Sequence, residues 1–144
     1  MDWKLEVVVV PVSDVDRAKS FYTEKAGFNT DLDDTFADDF RIVQLTPPGS
    51  ACSIMIGTGV VDTPPGSVQG LQMVVSDIGV ARAELVERGV DVSDIQVFER
   101  GARSGRAVEV APEGRDAALD FAGFVFFSDP DGNGWAVQQM PEGA

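Results

Sequence analysis

Residues 12–28 read VSDVDRAKSFYTEKAGF, and residues 75–90 read VSDIGVARAELVERGV. Asp77 stands where Asp14 does, 63 residues later, and Ala81 takes the place of Ala18. Gly27 and Gly89 close the two stretches, the second being one residue shorter. Recurrence at this distance divides the chain into two half-domains of about 65 residues.

Both copies follow the same local logic. An apolar run of strand composition (Leu5 to Val12; Leu71 to Val75) leads into Ser-Asp, whose side-chain oxygens can accept the first free N–H groups of a helix. Val15, Ala18, Phe21 and Tyr22 form one apolar stripe at helical spacing, and Ile78, Ala81 and Leu85 form its counterpart. A cationic residue (Lys25; Arg88) and then glycine suit a helix C-terminus.

Three strand-like runs follow each helix. In the first half they are Phe28–Leu32, Phe40–Leu45 and Ala51–Ile56, divided by Asp-rich and Pro-Pro-Gly turns. In the second they are Asp94–Phe98, Phe121–Phe127 and Trp135–Met140. The expected fold is α+β, with βαβββ twice over: eight strands and two helices in one domain spanning 1–144. The first module covers 4–60, VDTPPGSVQG at 61–70 is the linker, and the second module covers 70–141. The segment 99–120, rich in Gly, Ala and Arg, is expected as a long loop of the kind that serves as a lid.

Composition narrows the chemistry. The chain of 144 residues has no histidine and one cysteine. Zinc, nickel and iron sites lean on imidazole or clustered thiolates, so only an all-oxygen site for Mg, Mn or Ca stays open. Ser-His-Asp and Cys-His nucleophiles are excluded, and acid–base chemistry would fall to Asp, Glu, Lys or Tyr. Cys52, on a strand without basic neighbours in sequence, reads as a buried inert thiol and fits a reducing cytosol. No signal-peptide pattern and no membrane-length apolar run are present, so a cytoplasmic location is expected. A net charge of −13, from 24 acidic and 11 basic residues, disfavours nucleic acid and membrane partners and favours cationic small molecules; the same excess also serves solubility.

The stretch FSDPDGNGWAVQQ at 127–139 suggests a calcium loop at first sight. Counted from Asp129, however, Gly132 arrives at position 4 rather than 6, and position 12 is Met140 rather than an acid. Pro-Asp-Gly-Asn-Gly is hairpin chemistry, and the segment is expected to turn the chain.

Taken together, PVSDVDRAKSFYTEKAGF, the second such half and DPDGN resemble the vicinal oxygen chelate superfamily over roughly residues 4–141. That superfamily includes glyoxalase I, bleomycin resistance proteins, fosfomycin-modifying enzymes and extradiol dioxygenases. The resemblance implies that the two modules form an eight-stranded cup-shaped mixed sheet, and that the protein is a homodimer. Carried over, the metal-ligand positions of the enzymes fall on Val7, on Ser53 or Met55, on Gly70 and on Ala136. None is a normal ligand, so no metal and no cofactor are expected. Strand alternation sends Glu6 to the face opposite Val7, whereas Gln72 shares the inward face of Gly70.

The cleft implied by the resemblance would be lined by Phe40, Met55, Phe98, Phe124, Phe126 and Trp135, with Gln72 as a polar point and Trp135 favoured because a turn precedes it. The same aromatics also read as ordinary core. Arg100, Arg103, Arg106 and Arg115 could clamp an anion, or be solvated charges balancing Glu99, Glu109 and Glu113. Tyr22 is expected to pack against the sheet.

The leading functional expectation is a metal-independent protein that sequesters a small aromatic or cationic molecule, as bleomycin resistance proteins do in antibiotic resistance. The alternatives are a glyoxalase-like lyase or isomerase, or a dioxygenase-related enzyme, with a non-standard or absent metal site and unknown catalytic residues. A third is a degenerate cleft used for dimerisation.

Overall fold

The computed structural model describes residues 1–99, 103–110 and 114–143. Arg100 and Glu113 lie outside the described residues. The chain divides into two compact units, residues 1–68 with 129–133, and residues 69–128 with 134–144.

In the first unit β1 (Val7–Val9), β2 (Asn29–Ala37), β3 (Phe40–Thr46) and β4 (Ser53–Thr58) form a sheet in the order β1-β4-β3-β2, β1 running parallel to β4. The helix α1 (Val15–Ser20) starts where the sequence predicts, with the Asp14 carboxylate accepting from the Arg17 N–H. It then widens into a π-helical turn over Phe21–Lys25, where Ala26 N–H donates to Phe21 C=O at 3.0 Å. Gly27, at φ 78°, then takes the left-handed conformation that turns the chain into β2. Ala18, Tyr22, Val43, Leu45, Ile54 and Ile56 are buried between α1 and one face of this sheet.

That unit is also tied by charge and by the hairpin tip it contains. Asp33 accepts from Arg41 at 2.9 and 3.0 Å and from Lys19 at 2.8 Å. The Arg41 and then the Lys19 hydrogen bonds hold the Asp33 carboxyl well below the usual carboxylate range, and the same contact pushes Arg41 up. Asp129 Oδ2 accepts from the Tyr22 hydroxyl and from Asn133 Nδ2, both at 2.8 Å. Asp129 Oδ1 accepts the N–H groups of Asp131 and Asn133. Asn133 Nδ2 also donates to Pro11 C=O at 2.8 Å. DPDGN is therefore a turn whose polar side chains hydrogen-bond to α1 and the segment before it.

In the second unit β5 (Leu71–Val75), β6 (Ile95–Val97), β7 (Arg106–Val108), β8 (Gly123–Ser128) and β9 (Gly134–Gln139) form a sheet in the order β5-β9-β8-β6-β7. The helix α2 (Ile78–Glu87) is capped by Asp77, whose side chain accepts from Val80 N–H. Ile78, Leu85, Ile95, Val125, Phe127 and Val137 are buried on the α2 side.

Two expectations need correction. The first strand is Val7–Val9 rather than Leu5–Val12, because the ladder with β4 runs over these residues, its end hydrogen bonds reach no further than Glu6 and Val10, and Met1–Glu6 are exposed. The segment 99–120 is not one loop: Arg106–Val108 pairs with β6 as a ninth strand, and Ala117–Leu119 forms a 3-10 turn. The pairing comes from the β6 edge, through Ile95↔Val108 and Gln96↔Ala107, not from local propensity.

Candidate functional site

Side chains alternate across a strand, so each sheet has a face turned away from its helix. On the second sheet β8 supplies that face with Phe124 and Phe126, while Val125 and Phe127 point to the core. The register then assembles two rows: Gln72–Ala136–Phe126, and Val74–Gln138–Phe124–Gln96. Phe98 completes the group. Its ring meets Phe124 edge-on at 5.4 Å and Phe126 at 6.0 Å, while Phe124 and Phe126 stack at 6.0 Å. Phe126 is 38% exposed. Three packed rings on one sheet face, Phe126 exposed and Phe98 and Phe124 half-buried, form the kind of apolar surface that marks a ligand site.

Amides flank the rings. Gln72 Nε2 donates to Gln138 Oε1 at 2.7 Å, and Gln138 Nε2 donates to the carbonyl of Phe121 at 2.8 Å. Gln96 and Gln138 were not singled out from sequence. Alternation from Ala136 reaches Gln138 directly, and that signal was available.

Of the residues expected at the site, the structure brings Gln72, Phe98, Phe124 and Phe126 together on one face. Trp135 is not on it. It is 5% exposed on the opposite face and lies parallel to Phe127 at 6.1 Å, because its neighbour Ala136 takes the open side. Phe40 and Met55 belong to the first sheet. Phe40 lies beside Phe36 at 5.3 Å, and Met55 is half-buried opposite Gln44. Cys52 is half-buried rather than fully buried.

The corresponding face of the first sheet is mixed: Val7, Val9, Ile42 and Met55 share it with Gln44, Thr46 and Ser53. Thr46 Oγ1 donates to Asp31 Oδ2 and lies 2.6 Å from Ser53 Oγ, linking a carboxylate to a buried hydroxyl. The register shift between Thr30 and Leu32 accompanies this placement, and sequence alternation gives no sign of it.

Three of the four positions that hold metal in related enzymes offer no donor: Val7, Gly70 and Ala136. At the fourth, Ser53 has its hydroxyl engaged by Thr46, and Met55 is a thioether. Among the described residues no group of three or more His, Cys, Asp or Glu side chains comes together. This donor set does not fit a divalent ion.

The arginines are engaged locally. Arg115 donates to Ser76 C=O at 2.5 Å, to Met140 C=O at 2.8 Å and to Asp120, and Arg106 pairs with Glu99 at 2.9 Å. Arg103 is exposed. Glu109 does not reach the aromatic face; it borders a cavity of about 730 Å³ between α2 and β7, with Asp77, Arg82, Asp94 and Val110. No aromatic ring lines that cavity, and Arg82 is turned onto Ser93 C=O at 2.9 Å, so the ring cluster is the stronger candidate.

The profile of the Glyoxalase/Bleomycin resistance protein/Dioxygenase superfamily matches residues 4–137. The chain belongs to this superfamily. Among solved structures it is similar to TnmS3, an antibiotic binding protein from Streptomyces sp. CB03234, with 32% identity over 96% of this chain and 97% of that one and a TM-score of 0.69. A glyoxalase/bleomycin resistance protein from the same strain is also 32% identical, over 94% and 100% of the two chains, with a TM-score of 0.67. A superfamily member from Sphaerobacter thermophilus DSM 20745 shows 25% identity over 96% and 98%, with a TM-score of 0.69. No curated protein matches the chain significantly. Family membership carries the βαβββ architecture.

Proposed function

We propose that the protein binds and sequesters a small, flat aromatic molecule against the face of the second sheet turned away from α2, without a metal. The observation that carries this reading is the packed triplet Phe98, Phe124 and Phe126 beside the Gln72–Gln138 amide pair. Rings provide stacking area, worth roughly 0.5–1.5 kcal/mol per aromatic pair beyond burial. Amides orient a ligand but do not titrate, so this face is suited to holding a molecule rather than transforming it. The 32% identical neighbour described as an antibiotic binding protein supports the same reading, and the net charge of −13 favours a ligand that is neutral or cationic. Gln72, Phe98 and Phe124 carry the proposed site. In this reading the protein works as a cytoplasmic homodimer that protects its cell from a toxic compound; sedimentation velocity checks the dimer.

The test is thermal unfolding of tag-free protein with a panel of flat aromatic compounds, with and without EDTA, beside the same scan with Ni, Zn, Mn, Mg and Fe(II). Stabilisation by aromatics that EDTA leaves unchanged is expected. Ligand at a hundred times its Kd stabilises by about 2.7 kcal/mol, a shift of several degrees. Stabilisation by one divalent ion, with none by aromatics, would overturn the reading.

A second reading, metal-free acid–base chemistry, draws on the Asp31–Thr46–Ser53 chain. It requires that a bound compound be converted over hours, as followed by NMR, and that Asp31→Asn abolish the conversion.

A further inference from the structure

We infer that Gln72 sets the specificity of the site proposed above and selects ligands that carry a hydrogen-bond donor beside their ring; this rests on that reading of the site. The argument begins at Phe121, which at φ 65° is the sole non-glycine residue with positive φ among the described residues. A bulky residue stays in that region only where its surroundings fix it. Here both of its peptide groups are held. Its N–H donates to Gln139 C=O at 2.8 Å, and its carbonyl accepts from Gln138 Nε2 at 2.8 Å.

A carbonyl oxygen only accepts, so Gln138 must turn its NH2 toward Phe121 and its Oε1 toward Gln72. That oxygen accepts from Gln72 Nε2 at 2.7 Å. The Gln72 amide is thereby fixed in turn: one Nε2 hydrogen is taken by Gln138, the second remains, and its Oε1 is left at a fixed place as an acceptor with no partner among the described residues. Gln72 is exposed and shares a cross-strand row with Ala136 and Phe126. A free glutamine serves donors and acceptors equally by a half-turn of its amide. Held through Gln138, Gln72 cannot make that turn without losing its own bond. A ring hydroxyl, N–H or ammonium therefore meets an acceptor, whereas an ether in the same place meets a lone pair. Gln138 is a positioning residue: it acts through Gln72.

The experiment compares 2-naphthol with 2-methoxynaphthalene, matched rings with and without a donor, by ligand-observed NMR titration. Wild type, Gln72→Leu and Gln138→Leu are used, each shown folded by its circular dichroism melt, with Gln72→Met as a second variant. Wild type is expected to bind the naphthol about five-fold tighter, the size of one net hydrogen bond. Gln72→Leu lowers that ratio to about one. Gln138→Leu also lowers it, although Gln72 is still present. A wild-type ratio near one, with both compounds lost in Phe124→Ala/Phe126→Ala, overturns this inference and leaves the site standing. A full ratio retained in Gln138→Leu overturns the positioning role. If neither compound binds, or binding ignores the phenylalanine changes, the site reading fails and this inference with it.

Discussion

On the first sheet the face turned away from the helix carries the hydroxyl–carboxylate chain of Asp31, Thr46 and Ser53 beside Gln44 and the aliphatic side chains of Val7, Val9, Ile42 and Met55. On the second sheet the equivalent face carries Phe98, Phe124 and Phe126, with Gln72 and Gln138. The helix-facing sides do not differ in this way: both are aliphatic and aromatic cores capped by an Asp at the helix start. The duplicated plan fixes the backbone and the core, while the away-facing positions, which neither helix packing nor capping constrains, are free to diverge. Ligand chemistry belongs to those positions.

The comparison is broken most severely by losing what organises the first unit. Asp129→Ala leaves the Tyr22 hydroxyl, one of the two Asn133 amide hydrogens and two backbone N–H groups without their acceptor. It is expected to cost about 3 kcal/mol, a fall in Tm of roughly 10 °C by calorimetry. A fall under about 3 °C would show that the tip is only a turn.

Alternate residues of β8 sharpen the contrast between faces. Val125→Ala removes a buried side chain and should cost about 2 kcal/mol in chemical denaturation. Phe126→Ala, on the face proposed to hold the ligand, should cost under about 1 kcal/mol despite removing a larger group. Equal costs would make the ring cluster ordinary core.

The charge network of the first unit gives a pH signature. The Asp33 carboxyl is depressed in the folded state, so its contribution is present above the unfolded carboxylate range, near pH 4. It is lost as pH falls through that range toward the folded value. Asp33→Asn should cost about 1 kcal/mol at pH 7, and the gap to wild type should narrow steadily in melts run at successively lower pH below about 4. A gap that persists in acid would show the loss is one of packing.

The smallest effect is at the rim of the second sheet. Phe121→Gly removes left-handed strain of about 1 kcal/mol and restores chain entropy of similar size. Its Tm should stay within about 3 °C of wild type.

Much of this was legible in the sequence. Ser-Asp before each helix and Gly after it act through neighbouring backbone groups, so a local reading finds them. The ninth strand was not legible, because Arg106–Val108 lacks strand composition and is recruited by the β6 edge. The Tyr22–Asp129 bond joins residues 107 apart, a distance no motif spans. At the site, alternation was enough to place Phe124 and Phe126 together. The same rule, started from Ala136, puts Trp135 in the core. Asp31 and Thr46 depend on a register shift in β2 that is set by pairing rather than by any residue type.

The central claim is that the rings of the second sheet hold the ligand. The measurement that tests it most directly is calorimetric titration of the most stabilising flat aromatic compound into wild type and into Phe124→Ala/Phe126→Ala. Saturable binding that weakens at least tenfold in the variant, with its fold intact by circular dichroism, is the predicted result. Undiminished binding in the variant would place the ligand elsewhere and contradict the account.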